Sequence, residues 1–241
     1  MYHEFARLYD KLIMEDISYE KLADFVELQF SSLQIKPELI LDLACGTGAL
    51  TDVLHRRGYD MIGIDLSTDM LNIAKEKNSD ILYLCQDMRS FELYGTVDVI
   101  LCMTDSLNYL LSEQDMMQVF SLAKNYLNPG GLFLFDLNTP YKLRTILGNH
   151  TFTYDDNDVF YVWENEWCEQ SQSCDFYLTF FVKDGQLYQR LDEQQTQRAY
   201  TEQAISKLLQ RAGFSHIDCL DGYQAGSNPT NKSERYVFVV R

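Results

Sequence analysis

Three acids stand at or just past the ends of successive apolar runs. Asp42 lies in Leu39-Ile40-Leu41-Asp42-Leu43, Asp65 closes Met61-Ile62-Gly63-Ile64-Asp65, and Asp87 follows Ile81-Leu82-Tyr83-Leu84-Cys85. The first run enters the turn Ala44-Cys45-Gly46-Thr47-Gly48. Glycine there removes the Cβ that would hold a ligand away from the backbone. A glycine turn with an acidic partner reads as a nucleotide pocket, and its details exclude the commonest kinds. A dinucleotide site has G-x-G-x-x-G, the third glycine packing helix on strand, and here Thr51 holds that position. A helix N-terminus that receives a pyrophosphate is kept free of acids, yet Asp42 sits beside this one. No Gly-Lys-Ser/Thr follows, so the turn is not a P-loop. Asp42 suits a cationic ligand. Asp65, nineteen residues after Gly46, is placed to accept both hydroxyls of a ribose. Asp87 and the Met88 N–H suit an adenine edge.

These residues need elements to position them, and the chain supplies strands alternating with helices. Ala49 to Arg57 reads as a helix that ends in basic residues before Gly58, the expected chemistry of a C-terminus. Ser67 caps a helix through about Lys77, and Ser112 with Asp115 caps another to about Leu127. Val97 to Cys102 is a fourth strand. Pro129-Gly130-Gly131 breaks the preceding helix, and Leu132 to Asp136 is a fifth strand. Strands apolar throughout, separated by helices, imply an α/β fold with a mostly parallel sheet covered on both faces. Ligands bind such sheets at the carboxyl ends of the strands. Asp42, Asp65, Asp87, Asp105 and Asp136 all lie at or just after those ends.

Ahead of the first strand, Phe5, Leu8, Tyr9 and Leu12 recur at helical spacing over residues 2–13. A second helix starts from about Ser18. Tyr2 and Tyr9 are the candidate contacts of a lid. From about Thr139 to Tyr200 the character changes. Residues 152–188 hold eleven aromatics and eight acids against one lysine. Alternation of Phe176, Leu178, Phe180 and Val182 before Asp184-Gly185 reads as a hairpin. Residues 139–200 thus form an inserted antiparallel β segment, and 1–138 with 201–241 form the domain that carries it. Trp163 and Trp167 are read as sheet packing or as the interface of a homodimer formed through the β insertion. After a Thr201 cap the helical pattern resumes, and Ile217 to Leu220 and Tyr236 to Val240 close the chain as strands.

The formal net charge is −16 and no Lys/Arg cluster exceeds Arg56-Arg57, which disfavours nucleic acid, since phosphate neutralisation supplies most of that affinity. No apolar run approaches the roughly 18 residues of a membrane span. The first residues hold an early acid and no apolar core, unlike a signal peptide. The expectation is a soluble, cytoplasmic protein with no membrane partner. Six cysteines show no C-x-x-C pair, so metal and thioredoxin-type readings fail. Cys45, Cys85 and Cys102 lie in apolar runs and read as small hydrophobes.

Amine, ribose and adenine together describe S-adenosylmethionine, and here a family resemblance enters. Leu41-Asp42-Leu43-Ala44-Cys45-Gly46-Thr47-Gly48 resembles the first motif of class I S-adenosylmethionine-dependent methyltransferases. Gly63-Ile64-Asp65-Leu66-Ser67 with Met70-Leu71 resembles their second, and Gln86-Asp87-Met88-Arg89 their third. More narrowly, Leu8-Tyr9-Asp10, Ser106 with Tyr109, the β insertion and Ala212-Gly213-Phe214 are similar to the small bacterial enzymes that dimethylate the amino group of nucleotide-linked deoxysugars. The resemblance implies a Rossmann-like sheet of seven strands, the last antiparallel. It also implies a cofactor site of Tyr9, Asp42, Ala44, Cys45, Gly46, Gly48, Asp65, Leu66, Met70, Asp87, Met88, Cys102 and Met103.

The acceptor is less legible. By the resemblance Tyr109 borders it, as does an N-terminal tyrosine that Tyr2 approximately matches. The Asn/Asp-Pro-Pro-Tyr of many nucleic-acid amine methyltransferases is replaced here by Met103-Thr104-Asp105-Ser106. The paired aromatics that would grip a sugar nucleotide after the fifth strand give way to Asp136-Leu137-Asn138-Thr139. Methyl transfer from a sulfonium is an in-line displacement in which the protein mainly aligns the partners. Asp105 and Tyr109 are the candidate bases if the acceptor arrives protonated, with His3 a remoter one. The favoured acceptor is an amine or hydroxyl of a small molecule. Methylation of tRNA or protein, or a non-catalytic cofactor-binding regulator, are the alternatives.

Overall fold

A computed structural model describes residues 18–241. The expected helix over 2–13, with Tyr2, His3 and Tyr9, lies outside them. In chain order the described elements begin with α1 (Tyr19–Ser32), β1 (Leu39–Leu43), α2 (Ala49–Arg56), β2 (Asp60–Asp65), α3 (Thr68–Lys77), β3 (Leu82–Cys85) and β4 (Val97–Cys102). A 3-10 turn at Ser106–Tyr109 precedes α4 (Glu113–Tyr126) and β5 (Leu127–Asn138). After a π-helical turn at Lys142–Leu147 come β6 (Thr151–Asp155), β7 (Val159–Cys168), β8 (Ser173–Asp184) and β9 (Leu187–Arg198). The chain closes with α5 (Glu202–Arg211), β10 (Ile217–Asp221) and β11 (Arg235–Val240).

Seven strands pair in the order β3-β2-β1-β4-β5-β11-β10, with β11 antiparallel to both neighbours, as expected. The apolar runs bury both faces. Leu41, Ile100, Cys102, Phe133 and Phe135 point to one side, with Phe120 of α4 and Leu208 of α5. Ile40, Val99, Leu101, Leu132 and Leu134 point to the other, with α1, α2 and α3. This period of two leaves no polar edge along the central strands, so ligand chemistry is confined to their ends. Strand order reverses between β1 and β4. A crevice therefore opens at their carboxyl ends.

Helix starts follow the sequence signals. Ser67 Oγ accepts from Met70 N–H at 3.3 Å, Ser112 Oγ from Asp115 N–H at 3.0 Å, and Thr201 Oγ1 from Ala204 N–H at 3.2 Å. One expectation needs correcting. Pro129-Gly130-Gly131 does not separate α4 from the fifth strand. The chain turns extended at Leu127 and β5 runs straight through the Pro-Gly-Gly, a register shift against Val97 and Val99 absorbing the extra residues.

The inserted segment forms its own four-stranded antiparallel sheet in the order β6-β7-β8-β9. Its long hairpin is registered from Ser173 opposite Arg198 to Asp184 opposite Leu187, so the two-residue loop is Gly185-Gln186, one position later than expected. Trp163 and Trp167 pack against a cluster of Leu143, Leu147, Cys174, Phe176 and Ala199, which makes the tryptophan stripe internal packing. A second cluster, Val159, Phe180 and Leu191, packs against Met70 at the start of α3. Two buried amides fasten this sheet to the main one. Asn108 Nδ2 donates to the carbonyls of Asn138 (3.1 Å) and Arg198 (2.9 Å), and Asn138 Nδ2 donates to Gln197 Oε1 at 2.9 Å.

Gly48 caps α2 in the left-handed region at φ 69°, and a Cβ there would stand 2.6 Å from Tyr83 Oη and 2.9 Å from Ala74 Cβ. Gly222 has a similar φ of 60° with open space around it. Gly48→Ala is expected to cost about 2–4 kcal/mol, summing left-handed strain and overpacking. Gly222→Ala is expected to cost only about 1 kcal/mol. Urea unfolding of the two variants checks the difference.

Candidate active site

The turn after β1 is tied to the end of β2 by one carboxylate. Asp65 Oδ2 accepts the Gly46 N–H at 2.8 Å and Oδ1 accepts the Ser67 N–H at 2.8 Å. Each oxygen keeps a lone pair for a ligand. Burial raises the Asp65 pKa, and the backbone N–H bonds counter part of that rise. Ala44 and Gly46 both take positive φ, 60° and 56°. For Ala44 that conformation costs on the order of 1 kcal/mol, and it turns the backbone sharply at the strand end.

Asp42 lies beneath this turn and is 3% exposed. Thr51 Oγ1 donates to its Oδ2 at 2.5 Å. The residue that replaces a third glycine is therefore the hydrogen-bond partner of the buried acid. Desolvation pushes the Asp42 pKa up to about 7, Thr51 pulls against it, and the Asp65 charge adds to the rise. Asp87 is different: Arg89 grips it with a 2.5 Å ion pair, and its own N–H donates at 2.8 Å, which holds the carboxyl below its ordinary value.

These groups line a cleft of about 530 Å³, a size suited to a small ligand or cofactor. Of the residues expected in the cofactor site, Asp42, Ala44, Cys45, Gly46, Asp65, Leu66, Met70, Asp87, Met88 and Met103 line it together, and Tyr109 stands in the same wall. Tyr9 and Tyr2 fall outside the described residues. Gly48 and Cys102 do not line the cleft. Gly48 is held against Tyr83 and Ala74, and Cys102, fully buried, belongs to the core beneath the sheet, because the strand parity that faces Met103 to the cleft turns its neighbour away.

Asp105 needs a correction as a candidate base. It is absent from the cleft wall, and both oxygens are engaged: Oδ1 pairs with Arg235 Nη2 at 2.9 Å and Oδ2 accepts from Gln197 Nε2 at 2.8 Å. Arg235 also pairs with the fully buried Asp136, whose Oδ2 accepts from Tyr223 at 2.8 Å. Both oxygens of Asp105 are therefore taken by donors of the protein itself. The turn that carries it is strained, with Thr104 at φ 59° and Asp105 at φ 55°, a feature that clusters at functional sites. Tyr109, by contrast, is 41% exposed, and its hydroxyl donates to Gln195 Oε1 at 2.7 Å. Loss of water around that hydroxyl, with Asp105 nearby, holds the phenol above its ordinary pKa, so it is neutral at pH 7.

Gln195, Thr104, Leu110, Leu111 and Asp115 also line the cleft without having been singled out in the sequence. Asp115 carried a visible signal as part of a cap. Gln195 carried none: it lies 86 residues from Tyr109 on a strand whose polar alternation resembles any solvated edge. Ser67, legible only as a cap, lines the cleft as well.

Comparison with known proteins places this geometry. The family described as "Methyltransferase domain" matches residues 40–131. A protein of Bacillus subtilis (strain 168) named "Putative methyltransferase YqeM" is 34% identical over 245 residues, covering 100% of this chain and 97% of that one. The crystal structure of an S-adenosylmethionine-dependent methyltransferase from Clostridium acetobutylicum ATCC 824 is 37% identical, with a TM-score of 0.91, covering 100% of this chain and 98% of that one. The dTDP-3-amino-3,4,6-trideoxy-alpha-D-glucopyranose N,N-dimethyltransferase of Streptomyces venezuelae is 30% identical over 97 residues, 40% of this chain and 41% of its own.

Asp42 generates a pH prediction. Its folded pKa of about 7 lies above the ordinary 3.8, so the native state binds the extra proton between those values. Stability from this group therefore falls as pH rises from about 4 to about 7, by about 4 kcal/mol at most, and is level above. Asp42→Asn, which keeps an acceptor for Thr51, is expected to stabilise the unliganded protein at pH 8. By pH 5 the gain should shrink to less than half. Denaturant melts of both proteins at the two pH values check the sign.

Proposed function

The chain belongs to the class I S-adenosylmethionine-dependent methyltransferases, and from that premise we propose that it moves a methyl group to an amine or hydroxyl of a small molecule. The observation that carries this reading is the position of Tyr109 and Gln195. Their hydrogen bond joins the turn after β4 to β9 of the second sheet, and both line the cleft, whose volume of about 530 Å³ suits a cofactor with a small acceptor. Among the described residues Arg89 is the only Lys or Arg in the cleft wall, and Asp87 already neutralises it. Such a lining does not suit a polyphosphate backbone, in keeping with the formal charge of −16.

The residues fit the cofactor. Asp65 keeps a lone pair on each oxygen for ribose hydroxyls, and Met88 with Asp87 stands where an adenine edge would be read. Asp42, which lines the cleft, would hold the amine. Leu66, Met70 and Met103 supply apolar walls. Bound there, S-adenosylmethionine supplies an electrophilic methyl group on a sulfonium. The protein's own work is alignment and exclusion of water, and the neutral Tyr109 hydroxyl, fixed by Gln195, orients the acceptor. In this arrangement residues 1–138 and 201–241 hold the cofactor, while residues 139–200 cover the acceptor end. The amino-sugar N,N-dimethyltransferase that matches part of the chain is named for a small-molecule acceptor, which supports a small acceptor over a macromolecular one.

Calorimetry with S-adenosylhomocysteine is expected to show micromolar-range affinity. Asp65→Ala should weaken it tenfold or more, the worth of hydrogen bonds to a charged group. Tritium from the methyl-labelled cofactor should appear in the small-molecule fraction of a cell extract. Label confined to RNA or protein would refute the small-molecule reading, and no binding at all would refute the site.

A further inference from the structure

Asp42 and Thr51 meet because β1 and α2 share one packed face. Side chains alternate along β1: Leu41 and Leu43 enter the core that holds Phe120, and Ile40 enters the core beneath α2 and α3. Asp42 has the parity of Ile40, so it points toward α2. That helix buries Leu50, Thr51, Val53 and Leu54. Thr51, with no exposed surface, donates from Oγ1 to Asp42 Oδ2 at 2.5 Å. A helical threonine hydroxyl can instead bond the carbonyl one turn back, but here the carboxylate takes it. Among the described residues no donor bonds the other oxygen, Oδ1, and Asp42 lines the cleft.

Resting on the cofactor site proposed above, we infer that Thr51 is the positioning residue that holds Asp42 for the cofactor's ammonium, and so selects a cationic nucleotide ligand. One carboxylate oxygen is fixed from within the protein and the other is left to the ligand. A hydroxyl bond this short is of the charge-assisted kind, which favours an ionised acceptor. Asp42 is 3% exposed, and a carboxylate so poorly hydrated that lost its donor would take up a proton rather than stay charged. A neutral Asp42 gives up its attraction for an ammonium. A dinucleotide site has glycine at the position of Thr51, for close packing of helix on strand. A hydroxyl there adds a donor for the acid.

The groups around Asp42 decide what a pH profile would report. Within electrostatic reach are Asp65 of β2, Cys45 of the turn, Tyr83 of β3 and Cys102 of β4. Burial pushes both thiols and the phenol up, so all three stay neutral below pH 8. Burial raises Asp65 as well, but Asp65 is assigned to the ribose, which a ligand without the ammonium shares. A difference between two such ligands therefore isolates Asp42.

The test is calorimetry on the full chain with S-adenosylhomocysteine and with 5′-methylthioadenosine, which keeps the adenosine and lacks the ammonium. At pH 7.5 Thr51→Val, the near-isosteric loss of the hydroxyl, should weaken S-adenosylhomocysteine about tenfold and 5′-methylthioadenosine by less than about twofold. Thr51→Ser, which restores the donor, should return to within about threefold of the wild type. In an Asp42→Asn background Thr51→Val should cost less than about twofold, because the charge it serves is gone. Wild-type affinity for S-adenosylhomocysteine should rise from pH 6 to pH 8, since the ammonium favours the ionised acid, and Thr51→Val should move that rise to higher pH. Equal losses for the two ligands, or full S-adenosylhomocysteine affinity in Thr51→Val, overturns the inference and leaves the cofactor site standing. Asp42→Asn binding as tightly as the wild type overturns the amine contact with it, and no binding of either ligand overturns the site itself.

Discussion

The buried guanidinium of Arg235 joins the turn after β4 to the paired strands β5 and β11 and, through Gln197, to the inserted sheet. It pairs with Asp105 after β4 and with Asp136 inside β5, while Gln197 bonds Asp105 and Tyr223 bonds Asp136. Through these contacts the antiparallel strand β11, two parallel strands and the inserted sheet share one ion cluster. Two carboxylates around one guanidinium leave the cluster short of a positive charge, and burial accordingly raises the Asp136 pKa although Arg235 opposes the rise. Such an arrangement tolerates poorly the removal of a single member, because the remainder stays buried and uncompensated. It also ties down the turn between Met103 and Tyr109, since Arg235 bonds the Asp105 carboxylate and the Asp105 N–H donates to Asp136.

The five acids at strand ends therefore do two different jobs. Asp42, Asp65 and Asp87 sit on β1, β2 and just beyond β3, on one side of the strand-order reversal, and line the cleft. Asp105 and Asp136 belong to β4 and β5, on the other side, and are consumed by Arg235. A parallel sheet brings every carboxyl end to the same edge, which makes the acids equivalent in the sequence. What separates them is the antiparallel β11, whose first residue delivers a cation to one half of that edge only.

This division explains what could be read from the chain alone. Features carried by nearby residues were legible: the glycine turn, the acids at the strand ends, the caps at Ser67, Ser112 and Thr201, and the alternation of strands and helices. The antiparallel seventh strand was legible through the resemblance. The rest depends on pairings across 86 to 130 residues, such as Tyr109 with Gln195 and Asp105 with Arg235. Nothing local marks Asp105 as spent or Gln195 as facing a cleft. Gly48 and Cys102, expected in the same site, stand outside the cleft wall for a related reason. Both flank true cleft residues, but parity and the packing of Tyr83 and Ala74, invisible in one dimension, turn them into the scaffold.

Charge ties the two halves of the cleft together. Methyl transfer from a sulfonium to an amine conserves net charge but moves one positive unit from sulfur to nitrogen. A carboxylate near the sulfur stabilises the starting state, and one near the acceptor stabilises the state being formed; only the second kind of interaction accelerates the chemical step. Burial raises the Asp42 pKa while Thr51 bonds it, and Asp65 accepts two backbone N–H groups, so both carboxylates are held in place by the protein itself. The inserted strand β9 brings Gln195 to Tyr109. An insertion that merely capped the cleft could do so with apolar residues throughout, as the cluster around Phe180 and Leu191 does over Met70. The polar residues on the same face, Gln195 and Gln197, instead bond Tyr109 and Asp105 and so join the inserted sheet to the turn after β4.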